Sequence, residues 1–230
     1  MDRAPRIKHC GITSVDDAEL ALAAGAWALG VILWPGSARA CDPAVAARIA
    51  RTFKRRAQVV GVFVNPTLDE VAMTADALGL TMVQLHGDEG PSFCAEVRRR
   101  TGLAVIKAAR VKARADLQAL EPFHTDFHLL DTYKAGRWGG TGETFDWELA
   151  AARRTDVPLI LSGGLRPGNV GAAIDAVHPW AVDVASGTES SPGVKDPALL
   201  EAFAEAVRAT APEPEPEPAE PDAAEPVPAP

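Results

Sequence analysis

Apolar strand-like runs and amphipathic helix-like runs alternate eight times along this chain, at intervals of roughly 20 to 30 residues. The expected strands cover residues 6–10, 27–33, 58–64, 81–86, 103–109, 126–131, 158–162 and 180–185. The expected helices cover 14–24, 43–53, 68–78, 91–100, 114–120, 146–153, 167–177 and 197–209. Most of the strands, such as WALGVIL at 27–33 and QVVGVFV at 58–64, are hydrophobic throughout. A parallel strand covered on both faces has that pattern. Helix starts are marked where they should be: Asp42 precedes Pro43, and Thr13 or Ser14 precedes the acidic turn Asp16-Asp17. Eight such units with right-handed crossovers predict an α/β fold, a (β/α)8 TIM barrel near the short end of its size range. An open doubly wound sheet is the alternative, but no GxGxxG follows the first strand.

Hydrophobic residues make up 47% of the chain, enough for one barrel domain over residues 1–210. Residues 211–230 are a different polymer: eight prolines, six acidic residues and no Lys or Arg. They account for six of the eight net negative charges. Such a segment cannot bury enough apolar surface to offset its ordering, so it is expected to be a disordered appendage without function. Neither part carries a dominant basic field, which argues against a nucleic-acid partner. Three cysteines at 10, 41 and 94 are too few and too scattered for a disulfide framework, which points to a reducing, cytoplasmic setting. No apolar run approaches the ~18 residues of a membrane span, and no apolar leader opens the chain.

Chemistry in such a barrel belongs at the C-terminal ends of the strands. Those ends carry Cys10, Gln84 and His86, Lys107, Asp131, Ser162-Gly163-Gly164, and Asp183 followed by Ser186-Gly187; Arg39 lies beyond strand two. Side chains alternate across a strand, so Lys8 and Cys10 share one face and His9 the other. An ammonium beside Cys10 favours its thiolate. For Cys10 alone, a buried inert thiol and a reactive one remain equally open, and a loop-capping role remains open for Asp131. His9, His124, His128 and His178 show no metal-ligand spacing, and no metal site is expected. Three glycine clusters follow the last three strands: Gly139-Gly140-Thr141-Gly142, Gly163-Gly164 and Ser186-Gly187-Thr188. Glycine lets backbone amides converge on an anion, so Gly140, Gly142, Gly163, Gly164, Ser186 and Gly187 are candidates for a phosphate cradle. No GxxxxGK[ST] indicates a nucleoside triphosphate.

The stretches KHCGIT (8–13), GVILWPGSAR (30–39), VQLHGDE (83–89), LLDT (129–132), GGTGETFDW (139–147), LSGGLRPGNV (161–170) and VDVASGTESSPGVKD (182–196) occur in this order. Together the sequence closely resembles the phosphoribosylanthranilate isomerases of tryptophan biosynthesis, over residues 6 to about 208. The resemblance implies an Amadori rearrangement of N-(5-phosphoribosyl)anthranilate to 1-(2-carboxyphenylamino)-1-deoxyribulose 5-phosphate, an internal redox isomerisation without a cofactor. It implies Cys10 as general base, Asp131 as general acid, and Arg39 on the anthranilate carboxylate. Gln84, His86 and Asp183 are then substrate-binding candidates. Cys10 has to act as a thiolate, and Asp131 has to carry a proton. The partner implied is a small phosphosugar, with the protein a monomer or a homodimer. Two other readings are a related sugar isomerase of histidine biosynthesis, which has aspartate where Cys10 stands, and a non-catalytic phosphosugar-binding barrel. Departures from the family's pattern are His9, Trp34 and Trp27, the last bulky at a position usually small.

Overall fold

Each of the eight apolar runs becomes a strand that pairs in parallel with the next, and the last returns to the first. The computed structural model describes residues 4–131 and 147–211. The strands are β1 (Arg6–Cys10), β2 (Ala26–Ile32), β3 (Gln58–Phe63), β4 (Met82–Leu85), β5 (Ala104–Arg110), β6 (Phe127–Asp131), β7 (Leu159–Ser162) and β8 (Ala181–Val184). They form a closed barrel in chain order. Closure sets Lys8 of β1 directly opposite Asp183 of β8.

The helices are α1 (Val15–Ala23), α2 (Pro43–Phe53), α3 (Leu68–Leu78), α4 (Pro91–Thr101), α5 (Arg114–Gln118), α6 (Trp147–Ala151), α7 (Val170–Val177) and α8 (Pro197–Arg208). Their starts follow local chemistry. Asp42 accepts from the amides of Ala44 and Val45, and Asp196 from those of Ala198 and Leu199, each followed by proline at the first helical position. Ser14, not Thr13, caps α1 by accepting from the Asp17 amide. One start differs from expectation: α7 begins at Val170, three residues after Pro167. The Asn169 side chain accepts from the Arg166 amide and donates to the Gly164 carbonyl, which holds 166–169 as a turn. Asp146 and, of the expected tail 211–230, all but Ala211 lie outside the described residues.

The barrel has two apolar layers. Ala28, Val60, Met82, Ile106, Ala108, Leu129, Ile160 and Ala181 fill its interior. A larger set, including Ile7, Leu29, Val59, Val83, Val105, Leu130, Leu161 and Val182, packs outward against the helices. Trp27 finds its place at the opposite end from the strand C-termini. Its ring lies 4.9 Å from that of Trp180 and 5.9 Å from that of Phe127, and the Arg6 guanidinium stacks 4.2 Å above Trp180. Three aromatic rings thus close the floor, and the residue that departs from the family's pattern serves packing.

His9 faces the helix layer, as its parity predicts, and meets the edge of Phe203 at 6.1 Å. It is fully buried, and neither ring nitrogen has a hydrogen-bond partner among the described residues. Such a group costs about 1–3 kcal/mol to bury. Burial, with Lys195 and Lys8 nearby, pushes its pKa down from 6.5 to about 3. The folded state therefore resists a proton that the unfolded chain accepts, and stability falls as pH drops from about 6.5 toward 3. His9→Leu is expected to raise stability at pH 7 by about 1–2 kcal/mol. It also removes a slope of up to ~1.4 kcal/mol per pH unit below 6.5. Urea midpoints at pH 7 and pH 5 check this; a variant no more stable than the parent at pH 7 refutes it.

Candidate active site

The C-terminal ends of the strands gather the polar residues, and parity selects which of them look inward. On β1, Lys8 and Cys10 face the interior with Ala28, Ile160 and Ala181, while His9 faces the helices. Cys10 is buried, and its sulfur rests against β2 at Gly30. A β-carbon on Gly30 would come within 2.8 Å of the Cys10 Sγ, so only glycine leaves room for it. Gly11 has φ +75°, which turns the chain sharply away after the cysteine.

Lys8 has no exposed surface at all. Its Nζ donates to Asp183 Oδ1 at 2.6 Å, and Cys10, two residues on along the same face, feels its charge. The second oxygen of Asp183 accepts from Ser162 Oγ at 3.0 Å. Burial alone would lower the Lys8 ammonium, yet Asp183 and Cys10 more than offset it and hold its pKa above the ordinary value. Burial pushes the Cys10 thiol up; Lys8 pulls it down, Asp183 raises it again, and Lys195 pulls it down. Burial prevails. The expected cation is therefore present, but it does not by itself make Cys10 a thiolate, because burial outweighs it and Asp183 offsets part of its charge.

Asp131 ends β6, and β7 and β8 lie between it and β1 around the barrel. His86 Nε2 stands 3.5 Å from Asp131 Oδ2, within ion-pair reach but not aligned as a hydrogen bond. Gln84 Nε2 contacts His86 Nδ1 at 3.4 Å. Gln84 Oε1 and His86 Nε2 are buried without an aligned hydrogen-bond partner among the described residues. Arg39 crosses over the end of β1: a β-carbon on Gly11 would meet its Cδ at 2.8 Å. Its Nε donates to both oxygens of Glu189 at 2.9 Å, and its Nη2 lies 2.8 Å from Oε2.

The structure sorts the remaining candidates by what they touch. Lys107 was grouped with the strand-end candidates but faces the helices, between the inward Ile106 and Ala108; it is spent on Glu89 at 2.8 Å and the Gly87 carbonyl at 2.7 Å. Asp183, a substrate-binding candidate, has one oxygen on Lys8 and the other on Ser162. Gly163 and Gly164 form a turn with φ +93° and +66° after β7, and Ser186-Gly187-Thr188 a 3-10 turn after β8. A β-carbon on Gly187 would fall 1.9 Å from the Leu165 carbonyl oxygen, so glycine there lets the two loops pack together. Gly140 and Gly142 lie outside the described residues. Finally, Glu189 and Lys195 were not anticipated. They sit on a short hairpin after β8, β9 (Glu189–Ser191) with β10 (Val194–Lys195), within a stretch that reads as loop. Among the described residues, no cluster of three His, Cys, Asp or Glu is placed to hold a metal ion, and no helix is long and apolar enough to cross a membrane.

Residues 7–206 match the family described as N-(5'-phosphoribosyl)anthranilate (PRA) isomerase. The chain belongs to the phosphoribosylanthranilate isomerase family. An N-(5'-phosphoribosyl)anthranilate isomerase of Citrifermentans bemidjiense is 49% identical over 192 residues, 84% of this chain and 91% of the relative. The crystal structure of phosphoribosyl anthranilate isomerase from Thermotoga maritima superposes with a TM-score of 0.80 at 40% identity, covering 89% of this chain and 99% of the other. A phosphoribosyl anthranilate isomerase in complex with reduced 1-(o-carboxyphenylamino)-1-deoxyribulose 5-phosphate aligns over the same shares, at 37% identity and a TM-score of 0.78. The barrel is thus that of a phosphoribosylanthranilate isomerase, an intramolecular isomerase of tryptophan biosynthesis.

Proposed function

We propose that Cys10 and Asp131 are the base and the acid of an Amadori rearrangement on N-(5-phosphoribosyl)anthranilate. Asp131 protonates the furanose ring oxygen, and the ring opens to a Schiff base between C1 of the sugar and the anthranilate nitrogen. Cys10 removes the proton from C2, leaving an enolamine. Its tautomerisation moves a proton to C1 and gives the ketone of 1-(2-carboxyphenylamino)-1-deoxyribulose 5-phosphate. One proton enters at the ring oxygen and one leaves C2, so the substrate's proton count is unchanged; turnover leaves Asp131 deprotonated and Cys10 protonated, and proton exchange with water restores both.

The observation that supports this reading is the inward-facing Cys10 beside a buried ammonium, on the same barrel mouth as Asp131 and His86. Arg39 is the carboxylate binder. Gln84 and His86 meet substrate with their otherwise unmatched polar atoms. Asp183 serves the site through Lys8. Gly163, Gly164, Ser186 and Gly187, with Gly140 and Gly142, receive the phosphate. Residues 1–210 carry the activity and 211–230 add nothing to it. The purified protein is expected to discharge the fluorescence of phosphoribosylanthranilate, and its gene to restore growth to a tryptophan auxotroph lacking this isomerase. Asp131→Asn should restore neither. Growth of the auxotroph on the Asp131→Asn gene would refute the acid assignment.

A further inference from the structure

Glu189 is only 3% exposed in its side chain and holds two cations that come from distant parts of the chain. Arg39 reaches it from the loop after β2, 150 residues earlier. Lys195 reaches it from the facing strand of its own hairpin, at 3.4 Å. Lys195 is buried as well, and donates to the Ala185 carbonyl at 3.0 Å beside Thr188 Oγ1 at 3.4 Å. The hairpin is pinned to the mouth of β1, where Thr13 Oγ1 donates to the Gly193 carbonyl at 2.5 Å. Glu189 therefore has a fixed backbone and a fixed carboxylate.

An arginine carries five N–H donors in a planar fork. Glu189 takes the edge formed by Nε and Nη2 in a bidentate grip. Among the described residues Glu189 is the one carboxylate in ion-pair reach of Arg39, and the edge formed by the two terminal nitrogens can take a second, in the same plane and at a set angle. A free arginine side chain would lose rotamer freedom on being fixed by its ligand. Held by Glu189, much of that ordering is complete before the ligand arrives.

Resting on the assignment of Arg39 to the anthranilate carboxylate, we propose that Glu189 is a positioning residue that aims Arg39 and so selects substrates carrying that carboxylate. Glu189 touches no reacting atom; its effect runs through Arg39. Lys195 keeps Glu189 from following Arg39 toward the ligand, because its ammonium and the hairpin hold the carboxylate from behind.

The test compares wild type, Glu189→Gln, Glu189→Asp, Arg39→Met and the Arg39→Met/Glu189→Gln double variant. The probes are reduced 1-(2-carboxyphenylamino)-1-deoxyribulose 5-phosphate and its phenylamino counterpart without the carboxylate. Arg39→Met should weaken the carboxylated probe about tenfold or more, and the decarboxylated one little. Glu189→Gln should do the same, because an amide cannot accept from both Arg39 nitrogens. KM for phosphoribosylanthranilate should rise in step, while kcat falls less than about threefold, the signature of lost ground-state binding. Glu189 truncation should add nothing in the Arg39→Met background. Glu189→Asp keeps the charge on a side chain shorter by one methylene, and should show the same selective loss should the amide variant fold poorly. Equal weakening of both probes, or a fall in kcat at unchanged KM, overturns the proposal and leaves Glu189 a structural residue. Arg39→Met without discrimination overturns the Arg39 assignment and this proposal together; discrimination by Arg39→Met alone overturns this proposal only.

Discussion

Cys10→Ala is expected to lower kcat by about 10²–10⁴-fold, with KM changed less than about threefold. The sulfur sits on the inner face of β1 against the Cα of Gly30, where a β-carbon would already be too close. Alanine leaves that contact open and adds no polar group. The structural cost is on the order of 1 kcal/mol, the loss of one small apolar contact, so the variant should fold. What disappears is the proposed base, the thiol at the C-terminal end of the inward face of β1. Lys8 cannot substitute, because its ammonium is held protonated by Asp183 and has no acceptor capacity. The wild-type profile should carry the same signature. Burial keeps the thiol above its ordinary pKa, and a base works only when deprotonated. kcat/KM should therefore climb with pH through the alkaline side of neutrality. Fluorescence turnover at saturating substrate checks the first expectation; an alanine variant with undiminished kcat sinks the base assignment.

Much of this site was legible because strand parity is a rigid rule. Once 6–10 read as a strand, Lys8 and Cys10 had to share a face, and His9 had to pack against a helix; Gln84 and His86 followed by the same count. Lys107 was open to that count too, since Ile106 and Ala108 bracket it, yet a cation at a strand end drew attention away from its parity. The Lys8–Asp183 pair follows from barrel closure, which makes β1 and β8 neighbours, although 175 residues separate the two groups. Glu189 and Lys195 could not be read this way. Their strands are three and two residues long, too short for any periodicity, and the partner Arg39 lies on an irregular loop. Nothing local marks a glutamate that will meet an arginine 150 positions away. Trp27 illustrates a milder limit. Its bulk read as an oddity of β2, and only the convergence of Phe127 and Trp180 on the barrel floor gives it a partner.

Lys8→Met is expected to cost about 3–5 kcal/mol of stability and to displace the pH profile of the surviving activity. Methionine fills much the same volume in the barrel, so packing is not the main loss. The loss is electrostatic: among the described residues Asp183 keeps the Ser162 hydroxyl but loses the ammonium bonded to it, and becomes a buried carboxylate without its paired counter-ion. The sign with pH is set by the Lys8 ammonium. Its pKa in the folded state lies above the ordinary 10.5, so its contribution is fully present below that value and fades only as pH rises past it. The penalty should thus be constant across neutral pH. At Cys10 the change runs one way, since Lys8 pulls the thiol down while Asp183 raises it. Without Lys8 the base titrates at still higher pH, and the alkaline limb of kcat/KM moves up. Adding Asp183→Asn separates the two effects. The asparagine carbonyl can still accept from Ser162, no buried charge is left unpaired, and most of the lost stability should return. Turnover near neutrality should recover only in part, because Asp183 raised the buried thiol less than Lys8 lowered it. Urea midpoints and kcat/KM profiles of the single and double variants check both halves. Full recovery of stability and activity together would mean that the Lys8–Asp183 pair only holds the barrel shut, and that Cys10 takes its proton without help from Lys8.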